Sequence, residues 1–388
     1  MKILLQKNVF DAALERINYL FDEFPNIICQ MSGGKDSTVC YNLTLKVARE
    51  RNRLPLNVLF IDQEAEWDCV IDYIRTIMNN PDIKPYWLQM PIRIFNVTSP
   101  TERWLWCWKE GAQWLREKEE MSYKENNYGT DRFKELFAAF SRAHFHDQKT
   151  AFIGGVRVEE SPQRAIGLTT MANYKHITWG NKANSALGHY GFYPLYDWTY
   201  RDIWKAIHDN HWDYCKLYDY MYMYGTKIQA MRVSNVNHET AIRSLYMMQE
   251  IEPENWKRLT SRLQGINTAA QGQNDLFSPP KKLPYMFKDW REYRDYLLEN
   301  LITDIEIRAT FKKRFDYEET QWCHGNKLIE DEMLRMMVAE VVANDYHMTK
   351  FLAWRTRPDT SQWRKWKLKG IRTNNLPNKY IDYELARS

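Results

Sequence analysis

A chain of 388 residues is long enough for two or three domains, each with its own core. Its 44% hydrophobic and 27% charged residues are the proportions of a soluble globular protein, and a net charge of +4 is too small by itself to imply a nucleic-acid partner. There is no apolar run of 18 residues, so no membrane span is expected, and the first seven residues lack the length and cleavage site of a signal peptide.

Six cysteines lie at positions 29, 40, 69, 107, 215 and 323 without a C-x-x-C pair. Neither a zinc site nor a disulfide framework is indicated, and a reducing cytoplasm is the expected location. The 16 tryptophans and 24 tyrosines point to cores and interfaces.

Asn8 can cap an amphipathic helix that carries Phe10, Ala13, Leu14, Ile17, Leu20, Phe21 and Phe24 at helical spacing. The apolar run 27–31 then reads as a buried strand. It enters Ser32-Gly33-Gly34-Lys35-Asp36-Ser37, after which Val39, Leu43 and Val47 share a helical face. The six residues are thus a strand-to-helix turn. Two glycines let its N–H groups converge, and the helix start adds partial positive charge. The dipole contributes at most ~2 kcal/mol. Lys35 and the hydroxyls of Ser32, Ser37 and Thr38 must therefore supply more of any grip on phosphate or sulfate. The order differs from G-x-x-x-x-G-K-[ST], since lysine follows the glycine pair at once and aspartate comes next.

Residues 56–62 read as a second buried strand ending in Asp62, residues 68–78 as a helix, and residues 85–94 as a third strand. Strand alternating with helix predicts an α/β, doubly wound, mostly parallel sheet, with ligands at the carboxyl ends of its strands. Residues 97–128 crowd Trp104, Trp106, Trp108 and Trp114 beside Arg103, Lys109, Arg116 and Lys118. They read either as an inserted helical hairpin with a small core or as a lid that stacks on a base. A helix follows over 132–144. A fourth strand at 150–156 runs into Arg157-Val158-Glu159-Glu160-Ser161-Pro162-Gln163-Arg164. Arginine suits phosphate or sulfate oxygens, and Glu160 can orient Arg157 or help hold a metal. Tyr193-Pro194-Leu195-Tyr196-Asp197-Trp198-Thr199 precedes a helix over 200–210, with Asp197 placed to cap it.

These four blocks resemble the PP-loop ATP pyrophosphatase superfamily. The likeness is to the branch of phosphoadenosine phosphosulfate (PAPS) reductases and the sulfate adenylyltransferase small subunit. Ser32–Ser37 is similar to the PP-loop, 155–161 to G-x-R-x-x-E-S, and 194–199 to P-[IL]-x-D-W-T, before Asp202-Ile203-Trp204. The resemblance covers roughly the first 205 residues and implies an adenine nucleotide alpha hydrolase-like fold. It implies that Ser32, Gly33, Gly34, Lys35, Asp36 and Ser37 cradle the phosphates of ATP or PAPS. Asp62, Gly155, Glu160, Ser161 and Asp197 would add contacts. Lys35, Asp36, Arg157 and Arg164 would carry the chemistry, and Asp36 and Asp62 would hold Mg²⁺.

Beyond Trp204 the composition changes. Residues 211–225 hold five tyrosines, and Arg232 sits in an apolar run as one more candidate substrate contact. The domain boundary is expected at 225/226, with a PP-loop domain over 1–225 and a mainly helical domain over 226–388. Residues 265–284 read as a linker. Helical patterns cover 288–314 and 327–344, the second with Leu328, Ile329, Met333, Met336, Met337 and Val341 at core spacing. From Lys350 onward ten basic residues face three acidic ones, with Trp354, Trp363, Trp366, Tyr380 and Tyr383 between them. Such a tail can bind single-stranded nucleic acid, bind an acidic partner, or pack on acidic helices.

This layout resembles the immunoglobulin-binding regulator A (IbrA) proteins, which implies a ParB-like protein partner. A PAPS reductase of this family also needs a cysteine in an E-C-G-x-H segment. Here the sequence is Trp322-Cys323-His324-Gly325-Asn326, without the glutamate. Paired cysteines for an iron–sulfur cluster are absent. Three readings stay open: ATP cleavage at the α–β bond with nucleotidyl transfer, thiol-dependent sulfonucleotide reduction, and a nucleotide-bound regulator.

Overall fold

The computed structural model describes residues 6–96, 104–146, 148–161, 164, 168, 173–184, 189–237, 245–263, 265–266, 282–322, 327–342, 345 and 348–355. Contacts divide the chain into two compact units. The first runs to Ile94 and takes in Trp106–Val236 and Met247–Arg262; the second holds Phe95–Leu105, Asn237–Tyr246 and the chain from Leu263.

In the first unit, β1 (Asn26–Gln30), β2 (Leu56–Ile61), β3 (Ile83–Leu88), β6 (Thr150–Ile153), β7 (Gly180–Asn184) and β8 (His189–Phe192) form one sheet, in the order β3-β2-β1-β6-β8-β7. Five of the strands run parallel, and β7 joins the β8 edge antiparallel. Ile27, Ile28 and Cys29 of β1 and Val58–Ile61 of β2 are all buried, as strands covered on both faces must be. Flanking helices include α1 (Val9–Glu23), α2 (Lys35–Glu50), α3 (Asp68–Met78), α4 (Phe133–Phe145), α5 (Tyr200–Asp209) and α6 (Leu217–Met223). The expected doubly wound α/β sheet is present. Strand order reverses between β1 and β6, so the turns that leave their carboxyl ends lie side by side.

Three local expectations need correction. The third strand is two: β3 ends at Leu88, and β4 (Ile92–Phe95) pairs with β5 (Trp104–Cys107) in a separate two-stranded sheet. Pro91 parts them, since it cannot donate to a ladder. Residues 104–132 hold no helical hairpin. In β5 Leu105 and Cys107 are buried while Trp104 and Trp106 are not, a period of two rather than 3.6. The cap of α5 is Thr199, not Asp197, and Asp202 returns the bond in a capping box. Residues 97–103 lie outside the described ones.

From residue 282 on, the described residues of the second unit are mainly helical. α9 (Trp290–Asn300), α10 (Ile305–Trp322), α11 (Lys327–Val342) and α12 (Thr349–Arg355) close on Phe311, Phe315, Met333, Met337, Phe351 and Trp354. The methionines of α11 are packing residues, as its spacing suggested. The 288–314 pattern divides at residues 301–304, where Asp304 accepts from the N–H of Ile307 and so starts α10. Cys323 to Asn326, most of the linker and the tail beyond Arg355 lie outside the described residues. Two further helices are α7 (Leu245–Ile251) and, in the first unit, α8 (Pro253–Arg262). No described helix is long and apolar enough to cross a membrane.

His189 opens β8 with its ring 4.3 Å from that of Phe152, and its Nδ1 has no partner among the described residues. Burial pushes its pKa down to about 4. The folded state therefore holds the imidazole neutral, while the unfolded chain protonates it near the ordinary 6.5. Stability is complete above that value and falls as pH drops from 6.5 towards 4, by up to about 3 kcal/mol. Urea unfolding of His189→Leu is expected to lack that share of the acid-side loss; an unchanged pH slope contradicts it.

Candidate functional site

Gly33 takes φ +73, a left-handed conformation, and a Cβ on it would lie 2.8 Å from Val70 Cγ1 of α3. The loop thus turns hard against α3 before α2 begins. Gly34 caps α2 without a side chain, so the first turn of the helix is closed by hydroxyls. Ser37 Oγ donates to the Gly34 carbonyl at 2.8 Å and lies 3.0 Å from Ser32 Oγ. Thr38 is fully buried between the Gly34 carbonyl and the Tyr73 hydroxyl. The Lys35 N–H donates to the hydroxyl of Tyr218 in α6 at 2.9 Å. Its ammonium donates to the Met231 carbonyl at 3.3 Å and pairs with Asp36 at 3.1 Å. Burial pulls the Lys35 pKa below the ordinary lysine range, and Asp36 opposes that shift.

The second arm comes from β6. A Cβ on Gly155 would lie 2.6 Å from the carbonyl carbon of Asp36 and 2.7 Å from the nitrogen of Ser37. Only glycine lets this backbone lie on the first turn of α2. Arg157, two residues on, is 3% exposed and pairs through Nε with Asp36. Glu159 holds its Nη1 at 2.9 Å and also accepts from the N–H of Tyr200 at 2.6 Å, at the start of α5. The orienting carboxylates are therefore Asp36 and Glu159. Glu160 stands 3.8 Å from Arg157 and pairs with Arg164. Ser161 Oγ accepts from the Arg164 N–H at 3.3 Å. Burial first, and Arg232 second, pull the Arg164 pKa down. Arg232 acts on Lys35 in the same sense, so Lys35, Arg157, Arg164 and Arg232 form one basic cluster.

Two predicted site residues are set to other work. Asp62 is 0% exposed, and its carboxylate accepts from Trp87 Nε1 at 2.9 Å, Gln89 Nε2 at 3.0 Å and the Glu64 N–H at 2.9 Å, while pairing with Arg116. Arg116 lies over the Trp108 ring at 5.0 Å, and Trp108 donates its N–H to Glu64 and its Nε1–H to the Asp62 carbonyl. The aromatic insertion is thus pinned onto the end of β2, and Trp108, fully buried, is no stacking surface for a base. Asp197 makes a two-pronged pair with Arg16 of α1, at 2.8 and 2.7 Å. Trp198 beside it is buried on α1 and donates to the Val9 carbonyl. This block ties α1 to the sheet edge.

Asp62 has its oxygens filled and no exposure, and Asp36 is paired with Lys35 and Arg157, so neither carboxylate stands free for Mg²⁺ in this arrangement.

Residues 26–224 match the phosphoadenosine phosphosulfate reductase domain, just over half of the chain. The chain belongs to this PAPS reductase family. Residues 225–355 match a second family, described as a domain of unknown function, DUF3440. The uncharacterized protein YbdN of Escherichia coli is 28% identical over 316 residues, 77% of each chain. That two-part build is the IbrA-like layout expected from the sequence.

Among solved structures, the Candida glabrata FMN adenylyltransferase is 18% identical, with a TM-score of 0.35, over 56% of this chain and 62% of its own. A PAPS reductase of Candida auris is 15% identical, with a TM-score of 0.29, over 56% of this chain and 93% of its own. In this PAPS reductase-family domain, Tyr218 and Glu159 are the site residues that sequence reasoning missed. Tyr218 is one tyrosine among five in its stretch, and nothing local marks it.

Gly155→Ala is expected to lower unfolding free energy by about 1–3 kcal/mol, because backbone must move to admit the methyl. Equal urea midpoints for variant and wild type would refute the close approach. Asp62→Asn leaves Arg116 buried without its counter-charge and is expected to cost about 3–5 kcal/mol. A stable Asp62→Asn protein that fails only in nucleotide binding would instead return Asp62 to the ligand.

Proposed function

We propose that the first unit binds ATP on residues 32–37 and cleaves it between the α- and β-phosphates, passing AMP to an acceptor. The observation that carries this reading is the basic cluster at the start of α2. Lys35, Arg157, Arg164 and Arg232 gather around a helix N-terminus at the switch in strand order. In the step, an acceptor oxygen forms a bond to the α-phosphorus, and the bond from that phosphorus to the bridging oxygen breaks. The electron pair stays on the departing pyrophosphate, and the acceptor's proton goes to solvent. The four cations hold the pyrophosphate charge as it develops, so catalysis is by placement and electrostatics.

The thiol route rests on Cys323, which lies outside the described residues. The thiolate is the reactive form, and the described thiols of Cys40, Cys69 and Cys107, all held above the ordinary range, do not take its place. For Cys40 and Cys69 the largest cause is a neighbouring thiol, Cys29 and Cys215; for Cys107 it is burial. PAPS presents the same kind of phosphate groups and would use the same cluster.

Mass identification of products from the full chain, ATP and candidate acceptors tests the proposal. AMP-bearing product and pyrophosphate are expected, with kcat/KM reduced about 100-fold or more in Lys35→Ala. Sulfite and adenosine bisphosphate from PAPS, dependent on Cys323, would replace this reading with the reductase. Absence of any nucleotide product would overturn it.

A further inference from the structure

Gly34 has no side chain, and three hydroxyls ring the space one would fill. From that point Ser32 Oγ is 3.4 Å away, the Tyr218 hydroxyl 3.6 Å and Ser37 Oγ 4.0 Å. Two of the three belong to the loop. The third arrives from α6, 183 residues away in sequence.

Tyr218 is 3% exposed, and its ring lies 5.4 Å from the Lys35 ammonium, a cation–π distance. Its oxygen accepts from the Lys35 N–H at 2.9 Å. A phenol oxygen has two lone pairs and one proton. The Lys35 N–H takes one lone pair, and the hydroxyl keeps its proton to offer. The hydroxyl oxygen stands beside Ser32, Ser37 and Lys35, where the loop gathers its other donors.

Resting on the ATP-site reading above, we infer that Tyr218 is a phosphate-binding and positioning residue of the loop. Its hydroxyl fixes Lys35 at the head of α2 and donates its own proton to a phosphate oxygen held there. The Lys35 N–H, which would otherwise point directly at the anion, acts through the phenol. Tyr218 thus extends the loop by one donor and sets the lysine beside it.

The test is calorimetric titration of the full chain and of Tyr218→Phe with ATP and, separately, adenosine. Phenylalanine keeps the ring against Lys35 and removes only the hydroxyl. ATP affinity is expected to fall about 10-fold or more, the range for a hydrogen bond to a charged group, with adenosine affinity within about twofold of wild type. A general loosening of the fold would weaken both ligands alike, and that result overturns the inference. So does ATP binding that is unchanged or tighter in Tyr218→Phe. Wild-type protein that binds neither ligand removes the ATP-site reading itself, and this inference with it. Wild type that binds ATP beside an indifferent Tyr218→Phe removes this inference alone.

Discussion

The close approach of Gly155 to the first turn of α2 governs the site. Backbone lies on backbone there, and no side chain could intervene. It brings Arg157 within reach of Asp36, and from that pair a chain of contacts spreads. Asp36 also holds Lys35, and Arg157 is passed on to Glu159, which closes the start of α5. Two helices and two strands are thus locked around one carboxylate and one guanidinium. Lys35 and Arg157 are only 5% and 3% exposed. Two cations so deeply buried are tolerable only beside carboxylates, because an unpaired buried charge costs several kcal/mol. Asp36 is therefore more useful as the neutralising partner of the cluster than as a metal ligand.

The layered sheet was legible because its signals are local. Central strands are short apolar runs, and α3 carries helical spacing from Asp68 to Met78, which is where it begins and ends. The glycine pair and the basic residues after β1 and β6 were legible as phosphate chemistry for the same reason. What escaped was the pairing of distant residues. Asp62 ends a strand at the ligand edge, and nothing near it in sequence announces that Arg116, Trp87 and Gln89 will fill its oxygens. Asp197 carries the same look and is taken by Arg16 from α1. The aromatic content of the insertion suggests a small helical core, which its alternation opposes. Trp104, Trp106 and Trp108 alternate, and that period of two marked a strand more reliably than their bulk marked a small core.

Charge around the loop explains why an anion is wanted there. Lys35, Arg157, Arg164 and Arg232 stand against Asp36, Glu159 and Glu160: four positive groups and three negative, an excess of one. The excess is felt, since burial and neighbouring arginines both press on the Lys35 ammonium and on Arg164. A phosphate among these groups relieves like-charge repulsion and replaces lost solvation at once, and both effects strengthen where water is excluded.

The same contacts bear on how much chain the site needs. The PAPS reductase match stops at residue 224, and the DUF3440 match starts at 225. Yet Met231 offers its carbonyl to Lys35, and Arg232 acts on Lys35 and Arg164. Both fall inside the first compact unit, which runs on to Val236. Asn235 then fastens the segment by donating to the Ala65 carbonyl and to Glu66, a buried carboxyl pushed up to about 7. The opening residues of the DUF3440 segment are therefore built into the phosphate loop's own surroundings. Both matched regions thus contribute to the structure around residues 32–37.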